Sequence, residues 1–395
     1  MLRTTPFHAR TGPLCQPQNW RRWAGYVTAG SYELTHDREY YAIRSSAALF
    51  DISPLFKYEI RGPDAVRFLD RVVTRDVSKC QLDQVLYTPW CDEFGKVMDD
   101  GTLSRLSDNA FILTSAEPNL RWLLDNVLGF KVTVEDVSDS VAALSLQGPN
   151  ARAILNSATD GAVDDVRFFR QTRALISGTE VRITRTGYTG DLGYEIWVGA
   201  AHAEPIWDGL IMAGEPYGLT PAGILALDVA RIEAGLILID VDYVPAHRAV
   251  IEDRKSSPSE LGLGWTVKLE KEAFNGRDAL VEEQTRESAW QLRGLEIDWE
   301  SLERVYSKVG LPPQLPSVAW RTSVPVYAGQ RQVGYATSGC WSPVLKSYIA
   351  LAHLCSSDLK PEMSLEMEVT VEHRRRRAEA RVVDTPFFDP ERKRS

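Results

Sequence analysis

The sequence predicts an α+β protein of two or three domains that ends in a β-barrel or sandwich, and three observations carry that expectation. A chain of 395 residues is too long for one small core. Residues 1–285 alternate short strand-like runs with stretches of helical apolar spacing. Residues 292–388 carry strand-like runs between turns and no long helical pattern.

Residues 1–35, with Trp20, Trp23, Tyr26 and Tyr32, offer large side chains for burial but little periodicity, and predict an ordered wrap. A helix is expected over 33–49, stopped by Pro54. Next, 56–61 alternates as a strand, Gly62-Pro63 turns the chain, and 64–73 has helical spacing through Val66, Phe68, Leu69 and Val72. Short strands follow at 85–90, 96–98, 102–106 and 111–114. Between the middle two lie Asp99, Asp100 and Gly101; adjacent strand residues point to opposite faces, so only one acid can face a given cavity, and two acids before a glycine also suit a plain turn. A strand at 141–146 turns through Gln147-Gly148-Pro149 into a helix from Asn150. Thr220 and Pro221 predict the start of a helix that Gly235 ends. On it Asp228 and Arg231 are spaced to pair on the helix surface. Residues 262–269 predict a strand, 273–277 a turn into a short helix, and 282–291 a charged linker. The terminal strands are expected at 323–327, 333–337, 348–353, 364–371 and 378–383.

Composition narrows the function classes. Apolar residues make up 44% and charged residues 25%, ordinary for a soluble globular protein, and no run of some 18 apolar residues predicts a membrane span. The net charge of −9 argues against a nucleic-acid partner. The basic stretches at 374–377 and 391–394 read as a solvated strand edge and tail, or more weakly as an attractor for a polyanionic ligand tail. Five cysteines without a CxxC pair suggest neither a disulfide framework nor a zinc site. No two of the six histidines have the i, i+4 spacing of a helix-borne metal pair. The opening MLRTTPFHAR lacks the apolar stretch of a secretory signal, so the expected location is cytoplasmic.

The stretch RTGYTGDLGYEIWV, residues 185–198, is the most informative. Gly187, Gly190 and Gly193 recur every third residue, which predicts a turn that needs positive φ or close approach. The strand after it puts Tyr194, Ile196 and Val198 on one face and Glu195 and Trp197 on the other. A carboxylate beside an aromatic plane suits a flat, nitrogen-rich heterocycle, because it can accept two parallel N–H bonds while the ring is covered. A hairpin with one solvated Glu satisfies the same spacing.

Taken in order, Leu49-Phe50-Asp51-Ile52-Ser53, Gly95 to Asp100, Leu146 to Pro149, Arg185 to Glu195, Ala230 to Gly235 and Gly264-Trp265-Thr266-Val267 resemble the glycine-cleavage T-protein, or aminomethyltransferase, family over nearly the whole chain. The resemblance implies a three-domain cloverleaf around a central hole that holds tetrahydrofolate. Its folate-binding region would span 1–285 as two α+β domains, with about 55–140 inserted, and its C-terminal β-barrel 290–395. It implies that Glu195 binds the pteridine edge, with Tyr188 and Arg231 near the same ligand, Tyr87 and Trp265 lining the pocket, and Asp100 as the catalytic acid near folate N5 and N10. Asp99 is the poorer candidate, since related proteins keep mainly the second acid. Departures from the family pattern bear on the donor: Pro54 and Leu55 stand where T-proteins have His-Met, and Ser115 stands near an expected Asn. The expected activity is therefore methyl transfer from a small methylated donor to tetrahydrofolate, a demethylase, with His247 and Tyr243 placed to serve the leaving group; a surface role suits His247 as well. The alternatives are a glycine-cleavage aminomethyltransferase and a folate-binding accessory protein without chemistry. The accessory relatives tend to lack the acid at 100 and to carry a cysteine motif. Folate-regenerating enzymes are the expected partners.

Overall fold

A computed structural model describes residues 2–286, 288–358 and 364–395. Three sheets and a closed barrel make up the architecture. The first 35 residues are more regular than an irregular wrap: Arg3–Thr4, Tyr26–Ala29 and Trp20–Trp23 form a three-stranded sheet. Their alternation is too short to register as a period.

A six-stranded sheet follows in the order Gln171–Ile176, Thr179–Thr184, Gly193–Gly199, Val141–Gln147, Ala47–Asp51, Leu219–Pro221. The expected helix over 33–49 is Asp37–Ser45, and Leu49 lies in the strand Ala47–Asp51. That strand is central, with Ala47, Ala48 and Leu49 fully buried. A strand covered on both faces is a continuous apolar run, which periodicity cannot tell from a helix end. Thr220 and Pro221 also belong to a strand, at the sheet edge where proline costs no ladder bond. The helix starts later, as Ile224–Glu233, and Gly235 closes it at φ +65.

A five-stranded sheet, ordered Val85–Cys91, Val97–Ser107, Ala110–Ser115, Phe56–Arg61, Thr133–Asp136, encloses its own core with the helix Ala65–Val72. The strands expected at 96–98 and 102–106 are one continuous strand, so Asp99 and Asp100 do not sit in a turn. Gly101 serves strand pairing instead of a turn: a Cβ there would lie 1.8 Å from the Thr114 carbonyl oxygen.

The closed barrel comprises Trp290–Ile297, Ser347–Cys355, Arg331–Ser342, Val324–Ala328, Leu365–Val371 and Arg374–Val383. The linker expected at 282–291 divides between the end of the helix Arg277–Gln284 and the first barrel strand, with Glu287 outside the described residues. The strand expected at 262–269 is a single helical turn, Gly264–Thr266. The basic stretches are solvated only in part: Arg374 and Arg375 are exposed, on a strand paired on both sides within the barrel. Arg377 donates to the Gly329 carbonyl at 2.6 Å and lies 3.6 Å from the Tyr327 ring centroid, while Arg392 grips Asp191 at 2.7 and 2.8 Å.

A shared core of Tyr40, Phe50, Trp197, Val229, Ile232, Cys340 and Leu351 joins the six-stranded sheet, the helix Ile224–Glu233 and the barrel. The buried Glu233 carboxylate sits in the same seam. It accepts from Tyr40 at 2.5 Å, Arg44 at 2.6 Å and the barrel's Ser342 at 2.5 Å. No helix among the described residues is long and apolar enough to cross a membrane.

Candidate functional site

The strand Val97–Ser107 sorts its two acids. Asp99 is fully buried and accepts from the Asp100 N–H at 2.8 Å, the Glu117 N–H at 3.2 Å and the Asn119 amide at 2.7 Å. Asn119 in turn accepts from the Trp90 indole at 3.1 Å. Asp100 projects the other way, where Tyr87 donates to Oδ2 at 2.8 Å and Tyr243 to Oδ1 at 2.5 Å. Burial raises the Asp100 pKa and the two phenol hydrogen bonds lower it, leaving it above the ordinary carboxylate value. No cation pairs with this carboxylate among the described residues. Trp265 stacks on Tyr87 at 6.3 Å between ring centroids and keeps 57% of its surface exposed, so the two rings form a wall with an open side.

Glu195 is placed by register. Its strand pairs it with Thr184, and Tyr194, Ile196 and Val198 fill the core on the opposite face. Oε2 accepts from the Thr186 hydroxyl at 2.7 Å and that of Thr184 at 3.4 Å, whereas Oε1 accepts no hydrogen bond from the described chain. Burial chiefly, against Glu195, lowers the Arg182 pKa to about 10, and its guanidinium lies 5.2 Å from the Trp197 ring centroid. Burial also raises the Glu195 pKa, which the two threonines and Arg182 oppose.

The glycines before Glu195 meet different needs. Gly190 has φ +72. Gly187 and Gly193 close on the Gln147 amide, where added Cβ atoms would come within 2.2 and 2.1 Å of Oε1. Gln147 is itself held, accepting from Thr189 at 2.8 Å and donating to Ser145 at 2.9 Å. The turn therefore locks Thr186, and through it Glu195.

Tyr188 and Arg231 lie close to one another, and Tyr188 lies near Asp100 as well. The Tyr188 hydroxyl donates to the Ile237 carbonyl, and Arg231 and Asp100 both act on it electrostatically. Arg231 pairs with Asp228 at 2.9 Å as the spacing predicts, but inside the protein and not on the helix surface. It also pairs with Asp242, which the barrel fixes through Thr337 at 2.5 Å and Ser338 at 2.7 Å. Burial lowers the Arg231 pKa, but Asp242 and Asp228 outweigh it and hold the guanidinium above its ordinary range. Its Nη2 is buried and has no hydrogen-bond partner among the described residues.

His247 is exposed, four residues beyond Tyr243, and makes no hydrogen bond to the Asp100 cluster. Burial and Arg248 lower its pKa. Sequence reasoning placed Tyr243 near a leaving group and missed its bond to Asp100; it also missed Thr184, Thr186, Arg182 and Gln147. Thr186 stood inside the glycine stretch, and its role could have been suspected from a hydroxyl so close to the turn. Tyr243 gave no local signal, because its partner lies 143 residues away.

Two desolvated acids, a buried arginine and a stacked aromatic pair are the chemically distinctive groups of this α+β fold with its C-terminal barrel. Residues 7–271 match the GCVT N-terminal domain and residues 308–389 the glycine cleavage T-protein C-terminal barrel domain. The chain belongs to this aminomethyltransferase family, whose members depend on tetrahydrofolate. It is 35% identical over 355 residues to an aminomethyltransferase of Caldanaerobacter subterraneus subsp. tengcongensis, covering 89% of this chain and 87% of that one. It is 34% identical over 395 residues to one from Bacillus pumilus, covering 98% and 99%. The crystal structure of the glycine cleavage system aminomethyltransferase T from Bartonella henselae superposes with a TM-score of 0.83 at 24% identity, covering 98% of this chain and 99% of that one.

Proposed function

We propose that this protein is an aminomethyltransferase of the glycine-cleavage type, passing a one-carbon unit to tetrahydrofolate. The observation that carries the chemistry is the Asp100 carboxylate, held by two neutral phenols and with no counter-ion among the described residues. Such a group is built to meet positive charge that develops elsewhere. The residues fit a folate: among the described residues Arg231 presents a buried donor with no partner and Glu195 keeps one oxygen unengaged, and Tyr87 and Trp265 offer stacked faces. Bound tetrahydrofolate supplies the amine nitrogens that accept the carbon. Glu195 binds and orients the pteridine edge, and the glycine turn fixes Glu195. Asp100 stabilises the charge that appears as a nitrogen attacks, then takes the released proton, a step typically worth about 10²–10⁴-fold.

Identity of about 35% along nearly the full length of aminomethyltransferases favours this donor class over the demethylase suggested by Pro54 and Leu55. The demethylase reading keeps one support: Pro54 is buried and Leu55 packs into the shared core, so no imidazole is available there to a carrier-borne donor. Incubation with an aminomethyl-lipoylated carrier protein and tetrahydrofolate decides between them. Formation of methylene-tetrahydrofolate and ammonia supports the proposal; no product there, with methylated folate formed from small methyl donors, replaces it with the demethylase. His247 is assigned no step, and enzymes that regenerate folate are the proposed partners.

A further inference from the structure

We propose that Tyr243, together with Tyr87, is a positioning residue for Asp100: the two phenols fix both carboxylate oxygens in one orientation and preserve its negative charge without neutralising it. The proposal rests on the transferase reading only for the use to which that charge is put.

The geometry is built from two directions. Tyr87 comes from the neighbouring strand, where it sits opposite Thr102, and its ring is backed by Trp265. Tyr243 comes from a segment tied at both ends. The Ala246 N–H donates to the Val97 carbonyl at 2.8 Å, on the strand that carries Asp100, while Asp242 is held by Arg231 and by the barrel residues Thr337 and Ser338. Each phenol takes a different oxygen, so rotating the carboxylate breaks both bonds. The remaining groups nearby do not compensate the charge. Asp99, on the same strand, turns away and accepts from Glu117 and Asn119; Tyr188, from the glycine turn, donates its hydrogen bond to the Ile237 carbonyl; no lysine, arginine or histidine pairs with Asp100 among the described residues. A cation in place of either phenol would cancel the field that a positively charged transition state needs. Burial raises the Tyr243 and Tyr87 pKa values well above the ordinary one, and the Asp100 charge raises them further, so both stay neutral donors. Hydrogen bonds to a charged acceptor are strong enough that losing one raises a carboxyl pKa by about one to two units.

The test uses the full chain with ¹³C-carboxyl-labelled aspartate, its Asp100 resonance identified by its loss in Asp100→Asn. In Tyr243→Phe the titration midpoint should move up by about one to two units, and in Tyr87→Phe it should move the same way. The acid limb of the turnover profile should follow, with KM for tetrahydrofolate changed less than about twofold. An unchanged midpoint in both variants overturns the proposal, and if Tyr243→Phe does not fold, Tyr87→Phe decides alone. A shifted midpoint in a protein that turns over neither carrier-borne nor small methylated donors leaves the positioning role standing and removes the transferase reading.

Discussion

Because successive strand residues project to opposite sides, Asp99 and Asp100 meet different partners and take different roles. Asp99 receives three donors inside the five-stranded unit, and replacing it with Asn turns an amide N–H₂ toward groups that already donate. Asp99→Asn should cost about 1–3 kcal/mol in urea unfolding. Burial, then the neighbouring Asp100, raises the Asp99 pKa well above 3.8, so the folded state binds a proton that the unfolded state has already lost. Stability from this group is therefore greatest below the unfolded value and falls as pH rises toward the folded one. Unfolding measured across acid pH should show a flatter decline in Asp99→Asn than in the parent. An unchanged slope would assign the pH dependence to other groups. The sequence made plain that only one acid could face a cavity; the choice depended on the register against Tyr87 and on Tyr243, and no local pattern contains either.

The element that shapes the site is the turn from Arg185 to the strand Gly193–Gly199. Its glycine period and the alternation of Tyr194, Ile196 and Val198 were legible because both are local backbone properties. The reason for two of the glycines was not, since it lies in Gln147, a strand away. Gly193→Ala would push a Cβ to 2.1 Å from the Gln147 oxygen and force that side chain from its bonds to Thr189 and Ser145. A loss of about 1–3 kcal/mol by thermal unfolding is expected, with weaker tetrahydrofolate binding. Full stability and affinity would show that the turn does not set the Glu195 position. Elements buried on both faces were the least legible: Ala47–Asp51 reads as the end of a helix because nothing in its sequence alternates.

At the scale of the molecule, the barrel was legible as a succession of short strands, but what binds it to the rest was not. Arg44 and Glu233 stand 189 residues apart, and Ser342 reaches the same carboxylate from the barrel. This buried cluster ties the six-stranded sheet to the barrel, and the Asp242 bonds to Thr337 and Ser338 extend the connection to Arg231. Glu233→Ala leaves Arg44 with a buried charge paired, among the described residues, only with Asp191 at 3.3 Å. It should cost about 3–5 kcal/mol and separate a single unfolding transition into two by calorimetry. One transition at the parent temperature would contradict the coupling.

The claim on which the account turns is that Glu195 and Asp100 serve one folate site in different ways. Titration calorimetry of tetrahydrofolate into the parent protein, Glu195→Ala and Asp100→Asn tests it most directly. The account predicts tight binding to the parent, affinity lower by about 10–100-fold in Glu195→Ala, and near-parent affinity in Asp100→Asn. Equal affinity in all three proteins, or no binding to any, would contradict it.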